Sequence, residues 1–266
     1  MAMIIADKKK IIFIHIEKTA GTSIAALLLP YISEAYRSKN ARKPDTGRGW
    51  RKTWHANKQH AKFSESLAVI DKLNIDPQQY FKFAVVRNPY SWLLSIWDNR
   101  YQPNLNAKAA WKNKLRFQIA KHTGVFPLPA QRFHQMYPDG SFKSFVLFID
   151  YLLSNYSSSF TKGFLGASDQ YSYIENDRNI KFDFIAKLET LDRDLEKINQ
   201  IVRLDNNFKP SHLNQKNKTE SREKYLDYYD DESIAIVNRI FARDFEIFGY
   251  QPIVNLAKYQ KSFISL

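Results

Sequence analysis

The chain contains no cysteine, which excludes disulfides and thiolate metal sites, so its 266 residues fold without covalent staples. Its six histidines are scattered, and none shows a metal-ligand spacing such as H-E-x-x-H; no metal is expected. No apolar run approaches the ~20 residues that span a bilayer. Near its start the chain carries Lys8, Lys9 and Lys10 ahead of only about six apolar-leaning residues, too few for the hydrophobic region of a signal peptide. A cytoplasmic location is therefore expected. With eight glycines and no serine- or proline-rich tract, no linker stands out, and there is no internal repeat.

What is present argues for a packed globule. The hydrophobic fraction is 44% and the aromatic fraction 15%, and a disordered chain is poor in both. The length suits one α/β domain spanning 1–266. Forty basic residues stand against twenty-seven acidic ones, and acids are nearly missing from two stretches. Between Arg37 and Lys62 nine basic side chains face the single acid Asp45, and Lys108, Lys112, Lys114, Arg116 and Lys121 have no acid among them. Such charge fits solvated surface, a funnel for a polyanionic substrate, or a nucleic-acid partner, and does not choose among them.

The chain is organised around Phe13 to Ile24, FIHIEKTAGTSI. Ile11 to Ile16 has the unbroken β-branched and aromatic character of a buried parallel strand. Thr19, Ala20, Gly21, Thr22 and Ser23 are small enough to expose backbone N–H groups, and Ile24, Leu27 and Leu28 then recur at helical spacing up to Pro30. A small-residue loop at a helix N-terminus is an anion site. The nucleoside-triphosphate loop puts its lysine after the second glycine, whereas Lys18 comes three residues before Gly21.

A second strand, Tyr80 to Val86, runs into Arg87, with Asn88 and Pro89 suited to a helix start. Ser95 follows eight residues after Arg87, about two helical turns on. Arginine offers a fork for phosphate and a serine hydroxyl completes it. Further helices are expected where Phe63, Leu67, Ile70 and Leu73 share a face, at Trp111 to His122, at Phe142 to Leu153, at Asp192 to Val202, and as one long helix from Asp231 to Phe248 stopped by Gly249. Phe182 to Ala186 reads as a third buried strand. Residues 37–58 and 101–168 carry no readable pattern of function, which suits insertions that shape an acceptor cleft.

The Lys-Thr-Ala-Gly-Thr-Ser loop resembles the 5′-phosphosulfate loop of sulfotransferases, whose donor is PAPS (3′-phosphoadenosine 5′-phosphosulfate), and the strand-end Arg87 with Ser95 resembles their 3′-phosphate motif. Lys187-Leu188-Glu189, His212-Leu213-Asn214, Tyr228-Tyr229-Asp230-Asp231 and the ending Asp244 to Tyr250 extend the likeness over most of residues 10 to 250. Among sulfotransferases the chain looks like a soluble, bacterial-like member of the carbohydrate branch, of heparan 2-O or chondroitin type, and unlike the Golgi-anchored members. The resemblance implies an α/β, P-loop-like three-layer fold with a central parallel sheet. It also implies PAPS as donor, PAP (the desulfated product) as leaving group, and no metal.

Residue by residue, the resemblance gives Lys18, Thr19, Ala20, Gly21, Thr22 and Ser23 to the 5′-phosphosulfate and Arg87 and Ser95 to the 3′-phosphate. In the His212 loop, Lys216 and Lys218 are candidates for the 3′-phosphate or adenine, and a solvated loop explains them as well. Lys18 neutralises charge on the leaving oxygen. The acceptor hydroxyl needs a base near neutrality. His60 stands where related carbohydrate enzymes carry a His-Ala motif; His55 is its competitor, and Glu17 a third choice where many family members have proline. His15, inside the strand, reads as a core residue, and His122, His134 and His212 lack supporting context. Two other readings stay open: a P-loop kinase or nucleoside triphosphatase, and a basic protein that binds nucleic acid or a glycan without chemistry. Under the leading reading the partner is a hydroxyl-bearing acceptor, expected to be a carbohydrate, with no nucleic acid and no membrane span. The sequence does not reveal the oligomeric state.

Overall fold

In a computed structural model, which describes residues 3–34, 62–102, 129–155, 169–204, 224–257 and 259, four short apolar segments pair into one sheet. They are β1 (Met3–Ala6), β2 (Ile11–Ile14), β3 (Phe81–Val86) and β4 (Phe184–Lys187), ordered β1-β2-β3-β4. The described helices are α1 (Gly21–Leu28), α2 (Phe63–Lys72), α3 (Pro89–Arg100), α4 (Pro129–Met136), α5 (Phe142–Asn155), α6 (Leu191–Val202), α7 (Asp231–Ile240) and α8 (Ala242–Phe248). The chain divides into two units, Met1–Asn88 with Asp169–Glu220 and Pro89–Ser168 with Ser221–Leu266.

The first unit holds the sheet. β2, β3 and β4 run parallel, as the three buried runs predict. β1 corrects the all-parallel expectation: it lies antiparallel to β2, so the sheet is mixed. Its connection to β2 is a single 3₁₀ turn, Asp7–Lys9, closed by Lys10 in the left-handed region and by a Lys10 N–H bond to Asp7 O at 3.1 Å. A four-residue strand before so short a turn has no periodicity of its own.

One face of the sheet presents Ile4, Ala6, Ile11, Phe13, Phe83, Val85 and Ala186 to a cluster with Ile24, Ala25 and Leu28 of α1 and Leu191, Leu195 and Ile198 of α6. Each such side chain contributes roughly 1.5–3 kcal/mol when fully buried. Residues of the other parity, Ile12, Ile14, Ala84 and Val86, are also shielded from solvent, so both faces are covered, as a parallel α/β sheet requires. The buried Lys82 keeps its charge satisfied by bonds to Tyr80 O (2.6 Å) and Pro77 O (3.2 Å) and an ion pair with Asp183 (2.8 Å).

The second unit is helical. Tyr101, Phe133, Phe145 and Phe148 make its aromatic centre, and Trp97 donates Nε1–H to Gly140 O at 3.1 Å. The single helix expected over Asp231 to Phe248 is broken: Phe241, at φ −112° and ψ 23°, ends α7 and starts α8. Its ring packs edge-on to Trp92 at 5.5 Å, so tertiary packing overrides a continuous apolar period. Ile234, Val237, Phe241, Phe245 and Phe248 are all buried, as that period predicts, and Gly249 closes α8 at φ 62°. Among the described residues no helix is long and apolar enough to cross a membrane. The expected helix over Trp111 to His122 and the insertion 37–58 lie outside the described residues; of 101–168, the described part supplies α4 and α5.

Candidate functional site

β2 and β3 are neighbours and parallel, with Ile14 opposite Ala84, so their carboxyl ends open on one edge of the sheet, about 4.8 Å apart. In a parallel α/β sheet this edge is where ligands bind. The chain leaving β2 builds a tight loop before α1. Lys18 (φ 64°) and Ala20 (φ 62°) both take left-handed backbone conformations that non-glycine residues adopt rarely. Thr19, fully buried between them, donates its hydroxyl to Ile16 O at 2.9 Å. Ser23 and Ile24 return N–H bonds to Ala20 O at 2.9 and 3.1 Å, closing the first turn of α1. The N–H groups of Gly21 and Thr22 are among those a helix leaves without an intrahelical partner, and the helix dipole adds partial positive charge there. Lys18, half-buried, brings a full charge to the same loop.

His15 lies one residue beyond β2 and is buried, in line with a core histidine, and it has a neighbour the sequence did not disclose. Its ring rests on Gly21: a Cβ added there falls 1.6 Å from Cδ2 and 2.0 Å from Nε2. Gly21 is therefore required for space, while the unusual backbone angles fall on Lys18 and Ala20. The expected strand, Ile11 to Ile16, ends at Ile14, and the helix begins at Gly21.

Arg87 follows β3 directly. Its N–H donates to Gln170 Oε1 at 2.8 Å and its carbonyl accepts from Gln170 Nε2 at 2.7 Å. The next N–H, of Asn88, donates to Glu189 Oε1 at 2.7 Å. Where β4 ends, Asp194 accepts from Lys187 N (3.0 Å) and the Thr190 hydroxyl (2.7 Å). Each of the three parallel strands is thus followed by a turn that a side chain holds to backbone. Glu17, beside Lys18, is a buried carboxylate in the loop.

The fold brings the Lys18 to Ser23 loop and Arg87 to one sheet edge. Ser95 sits, partly buried, on α3 in the second unit, and Pro89 opens that helix as its residue type predicts. His55, His60, Lys216 and Lys218 lie outside the described residues, as do His122 and His212. His134, on α4, has its pKa lowered chiefly by burial, against a backbone bond involving Tyr101 and the charge of Asp139. Gln170 does not stand out in the sequence, because its partner Arg87 lies 83 residues away and leaves no local pattern; Glu189 is legible within the Lys187-Leu188-Glu189 likeness, but its bond to the Asn88 N–H is not. Among the described residues no cluster of His, Asp and Glu is arranged to hold a metal ion.

Comparison with known proteins adds a relationship to this geometry. Carbohydrate sulfotransferase 12 of Mus musculus is 25% identical over 275 residues, covering 96% of this chain and 61% of its own length. Carbohydrate sulfotransferase 12 of Xenopus laevis is 26% identical over 259 residues, covering 93% of this chain and 60% of its own. The chain thus spans about three fifths of the length of these curated relatives. No solved structure matches. The model of the Sulfotransferase family matches residues 1–251, across both units, and the chain belongs to that family.

Proposed function

We propose that this chain transfers a sulfonate group from PAPS to a hydroxyl of a carbohydrate. The observation that supports this most is the carboxyl edge of β2 and β3, where a lysine-bearing loop capped by a helix N-terminus adjoins a strand-end arginine. The donor is anionic at two places, and a cation with backbone N–H groups beside a second cation has the chemistry to hold it. In this reading Lys18, Thr19, Ala20, Gly21, Thr22 and Ser23 hold the 5′-phosphosulfate, Arg87 and Ser95 the 3′-phosphate, and Lys216 and Lys218 the 3′-phosphate or adenine. The family match over both units supports treating 1–266 as one sulfotransferase domain.

The protein's work is in-line positioning and charge stabilisation, by analogy with phosphoryl transfer. Lys18 places its ammonium beside the oxygen that leaves with PAP. His60 takes the proton of the acceptor hydroxyl, with His55 as the competing base and Glu17 as the third. A carbohydrate acceptor is supported by the names of the two relatives, and the +13 charge suits an acidic sugar chain.

The test is release of PAP from PAPS with a panel of oligosaccharides, a peptide and a lipid alcohol as acceptors. The expected result is release that depends on a sugar, is lost in Lys18→Ala, and is lost in His60→Ala with PAP binding intact. Release driven only by peptide or lipid overturns the carbohydrate assignment, and full activity in His60→Ala moves the base to His55 or Glu17.

A further inference from the structure

One buried side chain bonds the backbone of the residue on which the proposed 3′-phosphate contact depends. Gln170 is fully buried and lies 83 residues beyond Arg87, yet it bonds both backbone groups of that residue. A side-chain amide offers an acceptor and a donor in one plane, which a carboxylate or ammonium cannot do. The β3–β4 ladder ends with Val86 opposite Lys187, and Gln170 supplies an acceptor and a donor to the backbone of the next residue, Arg87. Its own segment is fixed in turn. Asp169 accepts from Ser172 N at 2.8 Å and from the Ser172 hydroxyl, and Tyr173 N–H bonds to Gln170 O at 3.1 Å. Glu189, through the Asn88 N–H, secures the residue after Arg87. Without these bonds a strand-end arginine at the start of a turn has several backbone conformations open to it, each sending the guanidinium elsewhere.

We infer that Gln170 is the positioning residue that gives this protein its preference for a 3′-phosphorylated donor, by fixing the backbone of Arg87. The inference rests on the proposed assignment of Arg87 to the donor's 3′-phosphate. Gln170 touches no substrate in this account; it acts through Arg87. Losing its two bonds to Arg87 weakens chiefly what Arg87 contacts.

The test compares PAP with 5′-AMP, which lacks the 3′-phosphate, by calorimetry on the full chain. Gln170→Met keeps the buried volume and removes both bonds. PAP binding is expected to weaken about tenfold while AMP binding stays within about twofold. In an Arg87→Ala background the same substitution causes no further loss of PAP affinity. Gln170→Asn, one methylene short but still polar, is the second variant should Gln170→Met fail to fold, and it lowers the PAP to AMP ratio in the same direction. If PAP and AMP weaken by the same factor, or neither weakens in a folded variant, the inference is overturned and the 3′-phosphate assignment stands. If the wild-type protein binds PAP and AMP equally, that assignment is overturned and the inference with it.

Discussion

Replacing Gly21 with alanine adds one methyl group to the Lys18 to Ser23 loop where the ring of His15 rests on it. The new Cβ stands 1.6, 2.0 and 2.4 Å from Cδ2, Nε2 and Cγ of His15, where ordinary van der Waals contact begins near 3.4 Å. His15 is only 6% exposed, so any relief comes from within the packed interior: either its ring or the start of α1 must shift. Overpacking of this kind costs about 1–3 kcal/mol, against which alanine recovers at most ~1 kcal/mol of helix propensity. With the new Cβ as close as 1.6 Å the cost stands at the upper end of that range, and a net loss of about 2 kcal/mol lowers the melting temperature by roughly 4–8 °C in a chain of this size. PAP affinity falls with it, because the N–H groups of Gly21 and Thr22 move. His15→Ala makes room, so the His15→Ala/Gly21→Ala double variant is expected to melt higher than the sum of the two single losses allows. Thermal melting followed by circular dichroism, with PAP titration alongside, measures all three proteins. A Gly21→Ala protein with wild-type melting and PAP affinity, or strictly additive losses in the double variant, refutes the steric argument.

Ala20→Gly tests the complementary claim: relief of the left-handed strain at φ 62° contributes up to ~1 kcal/mol, and a clear loss in melting temperature would contradict it. Asp230 caps α7 through the Ser233 N–H at 2.8 Å and pairs with Lys143 at 2.6 Å. Burial pushes its carboxyl up, but Lys143 and both Ser233 donors outweigh that and hold its pKa at about 2. Because the folded value is depressed, this contribution is complete above about pH 4 and lost as pH falls through about 2. Asp230→Ala should therefore cost about 1 kcal/mol at pH 7 and much less at pH 2 in urea melts; an equal gap at both rules out the charge. Tyr90, whose phenol is pushed up to about 12 chiefly by burial, donates to Asn238 and accepts from Ile253 N at 2.8 Å. Tyr90→Phe leaves both partners unsatisfied and is expected to destabilise by about 1–3 kcal/mol, measured by urea unfolding.

The parts of this protein that were legible in its sequence are those set by local chemistry. The unbroken apolar runs before His15 and Arg87 announced β2 and β3, and the small residues from Thr19 to Ser23 announced the loop. The buried stripe of α7 and α8 was readable even though the break at Phe241 was not, because the period survives a one-residue jog that Trp92 rewards. Pro129 opens α4, a position proline suits. What escaped depends on how segments fold against one another, whether near or far along the chain. The pairing of β1 rests on its turn and its neighbour, the grip of Gln170 on Arg87 spans 83 residues, and the pressure of His15 on Gly21 follows from folding the loop back onto its strand.

The donor is the central claim, and calorimetric titration of the full chain with PAP, with ATP as control and Arg87→Ala alongside, tests it most directly. Micromolar or tighter PAP binding, weak ATP binding and loss of PAP affinity in the variant are the predicted results. Equal binding of PAP and ATP, or no PAP binding by a folded protein, contradicts the account.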